Sequence, residues 1–84
     1  MKTLAYNTRG TCSRLIDITV DDDNVILSVK FTGGCHGNLQ GISKLVEGMK
    51  AEDAVAKLEG IKCGYKSTSC PDQLAQALKQ MIAE

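Results

Sequence analysis

The sequence predicts an α+β domain, a three-stranded antiparallel sheet with three helices packed on one face, and two observations carry that prediction. Segments with a two-residue apolar period occupy the first part of the chain and segments with a helical period follow them, an order that lays helices on one side of an antiparallel sheet. A polar run, Asp21-Asp22-Asp23-Asn24, separates two alternating segments by four residues, a length that closes a hairpin. With 84 residues the chain makes one domain over positions 1–84, near the size at which a single apolar core only just suffices. Its aromatic residues are Tyr6, Phe31 and Tyr65, so the core has to be built from aliphatic side chains.

Residues 3–8, with Leu4, Tyr6 and Thr8, form a short edge strand that Arg9-Gly10 ends. In 15–20 the apolar Ile16, Ile18 and Val20 alternate with Asp17 and Thr19, the period of a half-buried strand. Val25, Leu27, Val29 and Phe31 then alternate with Ser28 and Lys30, which puts the odd-numbered residues of the third strand inward. Across the turn this register sets Val20 opposite Val25, Ile18 opposite Leu27, Ile16 opposite Val29 and Cys12 opposite Gly33. All the apolar pairs then share one face, and a slip of one residue would break every pair. Cys35 falls just beyond Cys12 at the open end of the hairpin.

Asn38 caps the first helix, with Leu39, Ile42, Leu45, Val46 and Met49 on one stripe and Gly48 at its end. Residues 51–58 form a second helix, with Ala54, Val55 and Leu58 inward and Gly60 closing it. A connector, 61–67, leads to a last helix over 71–83 with Leu74, Ala75, Leu78, Met81 and Ile82 buried. Pro71 and Asp72 suit its first turn, since proline lacks the N–H that would be orphaned there and a carboxylate complements the dipole. Ser69 or Cys70 takes the cap position, where unpaired N–H groups favour an anionic sulfur.

Ten basic and ten acidic residues cancel, so no long-range field attracts a phosphate backbone or an anionic membrane, and nucleic acid is excluded as a partner. No stretch reaches membrane-spanning length and the first residues lack the apolar run of a signal peptide; the expected location is the cytoplasm. In that reducing compartment Cys12, Cys35, Cys63 and Cys70 point to metal or thiol chemistry rather than disulfides. Four thiolates suit zinc or an iron-sulfur cluster, although no Cys-x-x-Cys pair is present. Unlinked buried thiols remain the bland alternative.

His36 beside Cys35 is a further candidate ligand or proton acceptor, against the simpler reading of a solvated turn histidine. Gly33, Gly34 and Gly37 bracket Cys35 and either let backbone approach an ion or supply unusual dihedrals. The loop lacks the Gly-Lys-Ser/Thr ending of a nucleotide cradle. Asp21 to Asp23 lack the ligand pattern of a calcium loop and read as a solvated turn.

Thr68-Ser69-Cys70-Pro71-Asp72, with Gly33-Gly34-Cys35 and Gly41-Ile42, resembles the TSCPD domain, a module found at the carboxyl end of vitamin B12-dependent ribonucleotide reductases. The resemblance covers nearly the whole chain and is closest to the small stand-alone four-cysteine members. It implies a role accessory to ribonucleotide reduction and DNA precursor synthesis. It does not imply the reductase reaction itself, since 84 residues cannot contain the reductase barrel.

The order of elements is also similar to that of NifU/IscU-type iron-sulfur assembly scaffolds. Cys12, Cys35 and Cys70 match the scaffold's three cysteines, and Gly48-Met49-Lys50-Ala51-Glu52-Asp53-Ala54 resembles its Gly-Lys-x-x-Asp-Glu-Ala stretch. Ser13-Arg14 stands where the scaffold carries an aspartate, Ser69 replaces its histidine, and its chaperone-binding proline segment is absent.

The expectation is a zinc or iron-sulfur module with metal ligands Cys12, Cys35, Cys63 and Cys70. Its expected partner is a protein, a ribonucleotide reductase or a cluster-assembly component. The alternative is a thiol redox or sulfur carrier that uses Cys70 with Cys63 or Cys35. A third reading is a structural accessory that docks on an enzyme.

Overall fold

A computed structural model describes residues 1–11, 13–34 and 36–83. The elements run β1 (Lys2–Asn7), β2 (Ser13–Val20), β3 (Ile26–Gly33), α1 (His36–Val46), α2 (Ala51–Leu58) and α3 (Cys70–Ala83). The three strands form one antiparallel sheet in the order β1-β2-β3. Ile16, Ile18 and Val20 are fully buried on one face of β2, and they join Leu74, Ala77, Leu78 and Met81 of α3 and Ala54 of α2 in a single core. Leu15, Asp17 and Thr19, which alternate with them in sequence, are half-buried. Each fully buried Ile or Leu contributes about 1.5–3 kcal/mol, which is how so few aliphatic layers hold the domain.

The hairpin register differs from the alternation-based one by two residues: Ile18 faces Val29 and Ile16 faces Phe31. The turn is the cause. Asp21 bends its carboxylate onto the N–H groups of Asp23 (2.8 Å) and Val25 (2.9 Å), and Asn24 takes a left-handed φ of 62°. Val25 thereby pairs with Asp21 inside the turn (N to O 2.9 Å) rather than with Val20. A bulge between Thr19 and Val20 then leaves Leu27 without an opposite residue, so Ile26 faces Val20 and the inward parity flips. Ile26 is 1% exposed and Leu27 43%.

A second departure follows from the first. The backbone between α1 and α2 pairs with the start of β3, with Ile26 N–H donating to the Met49 carbonyl (2.9 Å) and Gly48 N–H to the Ile26 carbonyl (2.8 Å). Gly48 adopts a φ of 88° to make this approach. α1 starts at His36, two residues before the expected Asn38 cap, and ends at Val46. Leu39 and Val46 are buried as expected, but Leu45 is 78% exposed. α2 occupies the expected residues, and α3 begins one residue early, at Cys70.

Candidate functional site

Ser69 is the residue that starts α3. Its hydroxyl accepts the Asp72 N–H (3.1 Å) and donates to the Ile61 carbonyl (2.6 Å), while its own carbonyl accepts the Gln73 N–H (2.8 Å). One side chain thus caps the helix and ties the preceding loop to it. Asp72 completes the tie: its carboxylate accepts the Gly60 N–H (2.8 Å), the Thr68 hydroxyl and the Gln76 amide. Burial works against ionising Asp72, but these donors, with Lys79 further off, outweigh it and hold its carboxyl below the ordinary aspartate range.

Cys70 is the first residue of the helix and is 8% exposed. Its sulfur lies 3.2 Å from the hydroxyl of Ser13, which is itself 3% exposed. Ser13 opens β2 opposite Gly33 of β3. A Cβ placed on Gly34 would lie 3.2 Å from the Ser13 nitrogen, so the end of β3 presses against the same residue. The β1–β2 connection is pinned there too: Gln73 of α3 accepts the Arg9 N–H (3.0 Å) and donates to the Thr68 hydroxyl (3.0 Å). Thr11 touches the Ser13 hydroxyl (3.2 Å), and Thr8 donates to the Ser13 carbonyl. The start of β2, the end of β3 and the start of α3 therefore meet at Ser13.

The four expected ligands stand differently. Cys70 is at that corner. Cys63 is exposed in the loop before α3, its N–H donating to the Thr68 carbonyl (3.2 Å). Cys12 and Cys35 lie outside the described residues. Among the described residues no group of three or more His, Cys, Asp or Glu side chains is placed to hold a metal ion. His36 is exposed at the start of α1, with its ring against the Gln40 amide (2.8 and 2.9 Å). A groove of about 440 Å³ between β3 and α1 is lined by Phe31, Gly34, His36 and Leu39. Among the described residues no helix is long and apolar enough to cross a membrane.

Ser13 is the site residue that sequence reasoning missed. A register shift between Ser13 and Leu15 bulges Arg14 and flips the strand parity, which gives the inward place to Ser13. The alternation of Ile16, Ile18 and Val20 carries no sign of that flip. The chemistry available at the corner is that of a buried sulfur at a helix N-terminus, where the dipole favours negative charge, facing a hydroxyl that can donate or accept.

No curated protein and no solved structure matches the chain, so the expected likeness to the NifU/IscU scaffolds is not shown. The model of the TSCPD domain matches residues 2–82. That span takes in the three strands, α1, α2, all but the last residue of α3 and the Ser13–Cys70 corner, and the chain belongs to the TSCPD domain family.

Proposed function

We propose that this protein is a small metal-binding module in which Cys12, Cys35, Cys63 and Cys70 supply thiolates to zinc or an iron-sulfur cluster. The observation that carries the reading is the meeting of Ser13, Gly34 and Cys70. Ser13 follows Cys12 and Gly34 precedes Cys35 in the chain. The corner therefore joins the residue after Cys12, the residue before Cys35 and Cys70 itself. The donor set fits: sulfur ligands suit both groups, and the helix N-terminus offsets the negative charge that thiolates bring together. Cys63 lies in the loop that Ser69 and Asp72 tie to the same helix end. A bound zinc would supply a structural crosslink, and a cluster would supply electron or sulfur chemistry. The partner in this reading is a ribonucleotide reductase or a cluster-assembly component, in the cytoplasm.

The test is elemental analysis of protein purified without air, followed by chelation and by Cys-to-Ser changes at the four positions. The expected result is stoichiometric zinc or iron, lost on chelation together with several degrees of melting temperature, because binding to the folded state alone stabilises it. Metal-free protein whose melting temperature is indifferent to all four substitutions would refute it. One observation favours the rival thiol carrier: Cys63 is exposed and accessible to a partner. That reading predicts one hyper-reactive cysteine toward an alkylating reagent at neutral pH, and equally sluggish thiols exclude it.

A further inference from the structure

The outer edge of β3 carries backbone groups that the sheet does not pair. Thr8 N–H donates to the Arg14 carbonyl (3.1 Å), the next pair in the β1–β2 register, so Ile16 and Ile18 turn their backbone groups to β1 while Asp17 and Thr19 turn theirs to β3. Val29 and Phe31, opposite Ile18 and Ile16, therefore aim N–H and C=O away from β2. Ile26 does the same at the start of β3, and there the 48–50 backbone meets it as a short antiparallel partner. Among the described residues no other backbone bond reaches Val29 or Phe31 from outside the sheet. The groove of about 440 Å³ between β3 and α1 runs along this open part of the edge, and Val29, Phe31 and Leu39 are in its lining.

We propose that this groove takes an extended segment of a partner protein as a fourth strand, with apolar and acidic residues alternating along it. Unpaired ladder groups are matched by another extended backbone, and the 48–50 segment shows that this edge accepts an antiparallel one. The side-chain pattern of the guest follows from that of β3. Guest residues opposite Val29 and Phe31 share their face and enter the apolar groove. The alternate ones lie on the other face beside Lys30, which is exposed and, among the described residues, in no ion pair. Lys44 adds a second cation on the rim, held only by Glu47 at 4.0 Å. A second copy of this chain is the poorer occupant. The antiparallel register that pairs Val29 of one copy with Phe31 of the other sets the two Lys30 side chains directly opposite, where like charges destabilise the pairing. The inference adds a partner surface to the proposed function and does not depend on a metal.

The test titrates isotopically labelled protein with an end-capped octapeptide of alternating valine and glutamate, read by amide shifts and hydrogen exchange. Binding is expected to shift and protect the Val29 and Phe31 amides. N-methylation of the valines, whose N–H groups face β3 in this register, should weaken binding by about tenfold or more, through the loss of several hydrogen bonds. N-methylation of the glutamates, whose N–H groups face away, should leave it near the unmodified value. Lys30→Gln and Lys44→Gln should each weaken it by about two- to fivefold and reduce its salt dependence. An octapeptide of alternating valine and lysine should bind more weakly. Equal binding by the valine-methylated peptide, or shifts that miss β3, overturns strand addition. Equal binding by the lysine peptide overturns the acidic partner. Protection of Val29 and Phe31 that grows with protein concentration alone assigns the edge to a second copy and overturns the proposal, as does the absence of any shift with millimolar peptide. None of these outcomes bears on metal content, so this inference and the metal reading fail separately.

Discussion

Replacing Ser69 by alanine removes two hydrogen bonds made by one oxygen, and the cost can be worked from its contacts. The cap to the Asp72 N–H is worth about 1 kcal/mol when a serine cap is deleted. The second bond, from the Ser69 hydroxyl to the Ile61 carbonyl at 2.6 Å, holds the loop before α3. Its loss takes the partner from a part-buried carbonyl of Ile61, a residue that is itself 42% exposed, adding about 1 kcal/mol. A total near 2 kcal/mol is a large share of the roughly 4–13 kcal/mol expected for a domain of this size, and it lowers the melting temperature by about 8–16 °C. Urea titration followed by circular dichroism measures it, with an unchanged denaturant slope as evidence that the folded state is otherwise intact. Ser69→Thr keeps both bonds and should lose little. Ser69→Asp keeps the cap but aims a carboxylate at the Ile61 carbonyl, and should fall between. Alanine and threonine variants within about 0.5 kcal/mol of each other would mean that Ser69 is not the fastening between loop and helix.

Two further outcomes follow from the same corner. The Asp72 carboxyl is held below its ordinary range, so its ionised form stabilises the fold. That contribution is complete above the unfolded value of about 3.9 and is lost as pH falls through the lower native one. Asp72→Asn should therefore flatten the acid limb of stability against pH, measured as urea midpoints, and parallel limbs would contradict the role given to its donors. Gly34→Ala should cost about 1–3 kcal/mol, because φ there is 82° and the new Cβ would sit 2.8 Å from Leu39 Cδ1 and 3.2 Å from the Ser13 nitrogen. Gly41→Ala in α1 meets nothing within 4 Å and should instead stabilise by about 0.5–1 kcal/mol; equal effects at the two glycines would contradict the packing described.

Period and punctuation made the elements legible. Alternation located β2 and β3, helical spacing located α2 to the residue, and Pro71-Asp72 located the start of α3 to within one residue. What escaped was set by hydrogen bonds that hydrophobic pattern does not encode. The Asp21 carboxylate closes the turn around Val25, moving the register by two, and the bulges at Leu27 and Arg14 exchange inside for outside. For this reason Leu27, inward by alternation, is exposed, and nothing in the alternation marks Ser13 as buried. Leu45 failed for another cause: α1 ends at Val46, and Leu45 at 78% exposed lies off the face that carries Leu39 and Val46.

The residues of the motif can be divided by asking which of them folding requires. Thr68 donates to Asp72 and accepts from Gln73, and Ser69 caps the helix and holds Ile61. Pro71 sits in the first turn, where its missing N–H costs nothing, and Asp72 gathers three donors. Each of these has a structural task that its own chemistry explains. Cys70 has one as well: nearly buried at the first helical position, its sulfur meets the buried Ser13 hydroxyl and so links the start of α3 to the start of β2. What its thiol adds over the other side chains of the motif is a soft, ionisable donor atom, and the cysteine substitutions that test the proposed metal site therefore have to be read against this structural bond.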